Sequence, residues 1–128
     1  MEAINEVPAA LTRAILGSAI SVHRELGPGL LESTYQSCLV EQLKADGMTV
    51  DSESTIPVRY KGRTLEAIYR ADIIVNNQVL LELKAVDALS PIHEAQTLTY
   101  LRHTGLRVGL LINFNVPRLM SGVRRFIR

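Results

Sequence analysis

Residues 70–86 decide the fold, and they read Arg-Ala-Asp-Ile-Ile-Val-Asn-Asn-Gln-Val-Leu-Leu-Glu-Leu-Lys-Ala-Val. Two apolar, β-branched runs flank a polar break at 76–78, which is typical of a β-hairpin. Charged residues interrupt both runs, Asp72 in the first strand and Glu82 and Lys84 in the second. Because side chains alternate between the two faces of a strand, Glu82 and Lys84 share a face.

The length of the hairpin loop decides whether Asp72 joins that face. A three-residue loop over 76–78 pairs Asp72 with Glu82 across the hairpin. A two-residue loop would instead pair Asp72 with Leu81 and place the two carboxylates on opposite faces. We expect the three-residue loop, with Asn77 in the left-handed conformation that Asn tolerates.

Two carboxylates and an ammonium on one face of a core hairpin are typical of a metal-binding catalytic site. Unpaired charges in such a place cost several kcal/mol, and facing carboxylates repel each other. A hard divalent cation such as Mg²⁺ or Mn²⁺ removes that repulsion. Lys84 can then position a water or stabilise charge that develops on a phosphate. The alternative is a structural salt bridge between Lys84 and a carboxylate on a solvated sheet face.

The whole chain has the composition of a single soluble globular domain. It has 128 residues, of which 47% are hydrophobic and 21% charged. No apolar run reaches the roughly 18–20 residues that span a bilayer, and the start, Met-Glu-Ala-Ile-Asn-Glu, lacks a signal-peptide pattern. The one cysteine, Cys38, cannot form an internal disulfide or a Cys-based zinc site, and its place on an apolar helix stripe predicts a buried thiol. These features predict a cytoplasmic protein with no membrane partner.

The charges are unevenly distributed, although the net charge is only +1. All 13 acidic residues lie at or before Glu94, and the charged residues that follow are all arginines. They are Arg102, Arg107, Arg118, Arg124, Arg125 and Arg128. A basic C-terminal part suits a partner with a phosphate backbone, whereas scattered solvated arginines would give the same count.

Helical and strand patterns surround the hairpin. Helices are predicted over 8–26, 30–46 and 90–103, because apolar residues recur at three- and four-residue steps and Gly or Pro marks the helix ends. The first two apolar stripes comprise Leu11, Ala14, Ile15, Ser18, Val22 and Leu26, then Leu31, Tyr35, Cys38, Leu39 and Leu43. Further strands are predicted at 48–51, 55–60, 64–75, 107–114 and near 123–127, with Pro57 on an edge strand.

This order predicts an α/β (α+β) fold over residues 1–128, with a mixed sheet of about five strands and about three flanking helices. Glu32 lies in the first turn of the second helix, where acidic residues are favoured, and could also point at the hairpin face. Gln96 and Tyr100 lie four residues apart on the third helix and so share a face, as a packed pair or as part of a site. His23, near a helix C-terminus, is favoured there as a cation.

Together these features resemble the PD-(D/E)XK nuclease superfamily. The resemblance is carried by Asp72 with Glu82-x-Lys84 ten residues later, and by Gln96-x-x-x-Tyr100 on the next helix, as in the RecB-type branch. Upstream, Gly29-Leu-Leu-Glu32-Ser-Thr-Tyr35 resembles the motif of the small GxxExxY proteins of that superfamily. One departure is that Ala71 stands where the motif name has proline.

The resemblance implies a restriction-endonuclease-like core whose antiparallel hairpin is catalytic. It implies that Asp72, Glu82 and the Leu83 carbonyl bind Mg²⁺ or Mn²⁺, with Glu32 as a further ligand, directly or through water. Lys84 would activate the attacking water.

The same resemblance implies that Gln96 and Tyr100 position the substrate phosphate or the lysine. The implied function is hydrolysis of phosphodiester bonds, in DNA, by metal-activated water, with a homo-oligomer or a partner protein to supply specificity. The alternative is a non-catalytic nuclease-fold module that binds nucleic acid or assembles a complex. His23 and His93 could border the cleft and are assigned no chemistry.

Overall fold

The computed structural model describes residues 7–128, apart from the side chains of Ala67 and Ile68. The first six residues, where the sequence shows no signal-peptide pattern, lie outside this range. In chain order the elements are α1 (Ala9–Leu26), α2 (Glu32–Ala45), β1 (Val50–Tyr60), β2 (Arg63–Val75), β3 (Val79–Lys84), α3 (Pro91–Thr104), β4 (Val108–Asn113), a 3₁₀ turn (Leu119–Gly122) and β5 (Val123–Ile127). Over the described residues, no helix is both long and apolar enough to cross a membrane.

The strands form one mixed sheet in the order β1-β2-β3-β4-β5. β3 and β4 are parallel, and the neighbouring pairs are antiparallel. A parallel pair needs a crossover of about a dozen residues or more, which α3 and its loops supply. Every residue of β4 is buried, as expected of a strand covered on both faces. The predicted mixed sheet with three flanking helices is confirmed.

The β2–β3 hairpin has the three-residue loop that the sequence favoured. Val75 pairs with Val79, and Gln78 N donates to Val75 O over 2.9 Å. Asn76 and Asn77 both adopt left-handed backbone conformations, with φ of 50° and 57°. The Asn76 side chain accepts a hydrogen bond from Thr49 N, which fastens the loop to the start of β1. The register that places Asp72 beside Glu82 follows from this loop.

The two faces of the sheet carry separate apolar cores. The helices α1 and α2 cover one face, and the core residues there include Ile15, Tyr35 and Leu81. The helix α3 covers the other face, where Tyr100 and Leu101 pack with Leu80. Gly109 of β4 lets α3 approach, because a Cβ there would lie 3.1 Å from Leu101 and 3.2 Å from Thr97.

The strands predicted at 48–51 and 55–60 are one continuous edge strand, β1. Pro57 lies on this edge strand, as predicted, and the register of β1 against β2 shifts between Ile56 and Val58. Proline has no N–H to donate, so the ladder tolerates it at such an irregularity. The prediction of one long second strand running to Val75 is confirmed.

The predicted helix stripes need three corrections. Leu31 is 73% exposed, because it precedes α2 in an extended conformation and does not take part in the helical face. Cys38 is half-buried rather than buried. Ala14 is exposed, because the buried face of α1 is centred on Ile15, Ala19 and neighbouring residues instead.

Candidate active site

The hairpin charges lie where β3 ends, between α2 on one face of the sheet and α3 on the other. Glu82 is only 4% exposed, whereas Asp72 and Lys84 are half-buried. Glu32, the first residue of α2, reaches this end of β3, and its Oε2 accepts a hydrogen bond from Ala85 N over 3.4 Å. The structure therefore brings together the carboxylates that the sequence singled out, from three separate elements.

The carboxylates of Asp72 and Glu82 replace the ladder between β2 and β3. The last paired residues of the two strands are Ile73 and Leu81. Beyond them, Asp72 Oδ2 accepts from Leu83 N over 2.8 Å, and Glu82 Oε1 accepts from Asp72 N over 3.1 Å. One oxygen of each carboxylate thus accepts a hydrogen bond from a backbone amide. Within residues 7–128, the other oxygens, Asp72 Oδ1 and Glu82 Oε2, receive no protein hydrogen bond.

The backbone of Asp72 is held by a third element. Gln36 of α2 donates through Nε2 to the Asp72 carbonyl oxygen over 3.2 Å and to Glu53 Oε2 over 2.9 Å. Glu53 lies on β1 opposite Asp72, with φ of 54°, and the β1–β2 ladder pairs the residues on either side of these two but not the two themselves. A left-handed residue other than glycine inside a strand costs about 1–2 kcal/mol, and such strain tends to occur at functional sites.

Glu53 is a carboxylate that the sequence analysis did not single out. It lies in a polar stretch of an edge strand, where nothing in the pattern distinguishes it from Asp51 or Ser52. Its negative charge raises the pKa of both Asp72 and Glu82.

Burial disfavours the ionised form of both Asp72 and Glu82. Burial raises the pKa of Glu82 from 4.5 to about 8, and the negative charge of Asp72 adds to that rise. Burial also raises the pKa of Asp72, although the hydrogen bond from Leu83 N opposes this effect. The ammonium of Lys84 lowers both pKa values without cancelling the effect of burial. The positive charge of Lys84 therefore does not outweigh the effect of burial on the two carboxyl groups.

The carbonyl of Leu83 lies on the same edge of β3 as the acidic pair. Phe114 N donates to Lys84 O over 2.9 Å, so the backbone of Lys84 faces β4. Backbone groups of successive residues point to opposite edges of a strand, and the N–H of Leu83 accordingly donates to Asp72. The carbonyl of an extended residue points the same way as its N–H, so Leu83 O belongs to the edge that faces Asp72.

These donors fit a hard divalent cation. The available atoms are carboxylate and carbonyl oxygens, which suit Mg²⁺ or Mn²⁺, and a cation would offset the charge that burial disfavours. In the part of the chain that is described, no three His, Cys, Asp or Glu side chains form a group that would hold a metal by itself. The predicted set of Asp72, Glu82 and Glu32 as metal ligands therefore stays a prediction.

Gln96 and Tyr100 of α3 meet each other beside this pair. Gln96 Nε2 donates to Tyr100 Oη over 2.9 Å, and Tyr100 is 5% exposed. Burial raises the pKa of Tyr100, and the charge of Glu82 raises it further, which shows that the phenol lies within electrostatic reach of the acidic pair. The ring of Tyr69 on β2 lies 5.6 Å from that of Tyr100.

A buried amide fixes the segment after Lys84. Asn113, at the end of β4, is 2% exposed. Its Oδ1 accepts from Val86 N over 3.1 Å, and its Nδ2 donates to Val86 O over 2.9 Å. Asn113 was not among the predicted site residues, although a polar side chain at the end of a continuous apolar strand was the signal that could have indicated it.

The two histidines beside the predicted cleft have structural contacts. His23 Nε2 lies 2.8 Å from Val116 O and is 7% exposed, so it ties α1 to the segment after β4. His93 Nδ1 accepts from Ser90 N over 3.1 Å and closes the capping box of α3.

A comparison with family models matches residues 9–126 to the PD-(D/E)XK nuclease superfamily. The match runs from the first residue of α1 into β5 and so includes the whole site described above. No curated protein and no solved structure matches the chain. The narrower GxxExxY assignment, and the reading of Gln96-x-x-x-Tyr100 as a RecB-type motif, stay predictions.

Proposed function

Because this chain belongs to the PD-(D/E)XK nuclease superfamily, we propose that it is a divalent-metal-dependent nuclease that hydrolyses phosphodiester bonds in DNA. The observation that carries the proposal is the Asp72–Glu82 pair, in which Glu82 is buried and Asp72 is half-buried. Each carboxylate is oriented by a backbone amide and keeps one oxygen without a partner among the described residues, next to Lys84. A purely structural pair would gain more from a direct partner for those oxygens than from proximity to another buried carboxylate.

Asp72 and Glu82 would hold Mg²⁺ or Mn²⁺ through the oxygens that the backbone amides leave free. The Leu83 carbonyl would be a third ligand, and Glu32 would bind directly or through a water. The bound cation would neutralise charge on the phosphate and make a water more acidic. Glu82, which holds a proton at neutral pH, would release that proton when the cation binds.

Lys84 would act on the reacting groups themselves. It lies two residues after Glu82 on β3, and its positive charge lowers the pKa of both Asp72 and Glu82. We assign it to orient the attacking water or to stabilise the charge that develops on the phosphate in the transition state. Gln96 and Tyr100, joined by a hydrogen bond, would position the substrate phosphate or the lysine.

Calorimetric titration with Mn²⁺, followed by cleavage of labelled single- and double-stranded DNA, tests this assignment. The variants are Asp72→Asn, Glu82→Gln and Lys84→Ala, since the amides keep the acceptors that the backbone N–H groups need. Glu41→Gln, an exposed residue of α2, is the matched control. We expect Asp72→Asn and Glu82→Gln to abolish Mn²⁺ binding. Lys84→Ala should bind Mn²⁺ but not cleave.

Two outcomes would contradict the proposal. If the wild type binds no Mn²⁺ at millimolar concentration, the assignment of the metal ligands is wrong. If the wild type binds Mn²⁺ and DNA but cleaves neither single nor double strands, the chain is a non-catalytic nucleic-acid-binding module.

A further inference from the structure

Residues 57–70, here called the β1–β2 arm, form a two-stranded ribbon that extends past the rest of the sheet. β2 pairs with β3 only from Ile73 to Val75, so the preceding part of β2 pairs with β1 alone. The pairing continues to Tyr60 and Arg63, which flank the turn. No residue from 57 to 66 is buried. An isolated two-stranded ribbon is marginal in water, so packing does not dictate the composition of this arm.

The β1–β2 arm carries more net positive charge than the chain as a whole. It carries four exposed basic residues and one acidic residue, Glu66, which gives a net charge of +3, whereas the whole chain carries +1. The basic residues are Arg59, Lys61, Arg63 and Arg70. Two tyrosines are also exposed, Tyr60 at 58% and Tyr69 at 44%.

The β1–β2 arm leads directly into the candidate active site. Its second strand continues without a break to Asp72, and the ring of Tyr69 lies 5.6 Å from that of Tyr100. Because the register shift leaves extra residues in β2, the reach is counted along β1, which advances seven residues from Glu53, opposite Asp72, to Tyr60, opposite Arg63 at the tip. At about 3.3 Å per residue this gives about 23 Å, or about seven base pairs of duplex DNA at about 3.4 Å each.

We propose that the β1–β2 arm binds the phosphate backbone of duplex DNA on one side of the cleaved bond. This inference rests on the proposed function, since it takes DNA as the substrate. A two-stranded ribbon fits the major groove of B-DNA, and Arg and Lys side chains neutralise phosphates along it. Contacts of this kind position the duplex without reading its sequence.

The test compares a variant of the β1–β2 arm with a control of equal charge change. The arm variant carries Arg59→Gln, Lys61→Gln and Arg63→Gln, and the control carries Arg13→Gln, Lys44→Gln and Arg102→Gln, all exposed helix residues. Binding to a labelled 24-base-pair duplex is measured by fluorescence anisotropy at several salt concentrations, in EDTA so that no cleavage occurs. For every phosphate that the variant leaves without a cationic partner, the slope of log K against log salt should fall by about 0.9. We expect a slope about 2–3 smaller for the arm variant and unchanged for the control.

Binding measured on duplexes of different length distinguishes the loss of contacts with the arm from a general loss of positive charge. On a six-base-pair duplex, which is too short to reach the tip of the arm, the arm variant should bind as the wild type does. The weaker binding should appear only once the duplex exceeds about seven base pairs. Single strands of the same lengths show whether the arm requires a duplex.

Several results would overturn the inference. Equal slopes for the arm variant and the wild type, equal losses in both triple variants, or no duplex binding by the wild type would each do so. A change in oligomeric state by analytical ultracentrifugation, with DNA binding unchanged, would make the β1–β2 arm an interface between copies of this chain instead.

Cleavage of bis(4-nitrophenyl) phosphate separates this inference from the proposed function. This diester is too small to touch the β1–β2 arm, so the arm variant should cleave it at the wild-type rate. Arm-dependent duplex binding without any cleavage would support the arm and contradict the nuclease assignment. If the protein cleaves the diester but binds duplex DNA equally well with and without the basic residues of the arm, the nuclease assignment is supported and the role of the arm is contradicted.

Discussion

Replacing Glu82 with Gln should stabilise the metal-free protein at neutral and alkaline pH. The carboxyl of Glu82 is 4% exposed, and burial together with the charge of Asp72 raises its pKa from 4.5 to about 8. In the unfolded chain the same group ionises near its ordinary pKa. The folded protein therefore keeps a proton that the unfolded chain releases, and folding becomes less favourable as the pH rises between these two values.

The size of the effect follows from the difference between the two pKa values. Each pH unit between them costs about 1.4 kcal/mol, so the wild type should lose about 3 kcal/mol by pH 7 and about 5 kcal/mol above pH 8. The stability from Glu82 is fully present below pH 4.5 and is lost as the pH rises through 8. Glu82→Gln keeps an oxygen acceptor for Asp72 N but has no ionisable group. It should match the wild type near pH 4.5 and exceed it by about 3 kcal/mol at pH 7.

Urea unfolding followed by circular dichroism, in EDTA and at half-unit steps from pH 4.5 to 8.5, measures this difference. Glu41→Gln, on the exposed face of α2, controls for the general effect of removing a negative charge. Adding Mg²⁺ at pH 8 should stabilise the wild type and leave Glu82→Gln unchanged. A gap between wild type and Glu82→Gln that stays constant across this pH range would refute the argument that burial keeps Glu82 protonated.

Three further predictions concern the surroundings of the site. Asn113→Ala should lower the free energy of unfolding by about 1–3 kcal/mol, because Val86 N loses its acceptor and Val86 O keeps only the longer bond from Asn115 Nδ2; thermal unfolding measures this loss. Gly122→Ala should be strongly destabilising, because its Cβ would collide with the Asn113 carbonyl oxygen. Gly17→Ala on α1 has open space and should instead stabilise by up to about 1 kcal/mol, as urea unfolding of both variants would show. Mn²⁺ binding at pH 7 should release a proton from Glu82, seen as a binding enthalpy that depends on the buffer; an enthalpy independent of the buffer would contradict this.

The features that the sequence predicted well depend on short-range rules. Strand alternation and the length of the loop at 76–78 together determine the register of the hairpin, so the position of Asp72 beside Glu82 could be inferred from the sequence alone. The contact between Gln96 and Tyr100 follows equally from the spacing of four residues on a helix. In both cases the deciding geometry lies within one element or one turn.

The features that the sequence did not predict depend on contacts between distant segments. Glu53 reaches the site because β1 adopts a left-handed residue opposite Asp72, and no local preference of Glu indicates this conformation. Gln36 and Asn113 find their partners 36 and 27 residues away in the chain. Leu31 fitted the apolar period of α2 but lies just before the helix, so its side chain is exposed.

The bonds from Asp72 N and Leu83 N to the carboxylates make two amide protons into internal reporters of the site. In a ¹⁵N-labelled sample, the resonance of Asp72 should follow the titration of Glu82, and that of Leu83 should follow the titration of Asp72. The arrival of a cation should shift both signals together, because it draws charge from both acceptors. The state of the candidate centre could then be read from two backbone signals without any substrate.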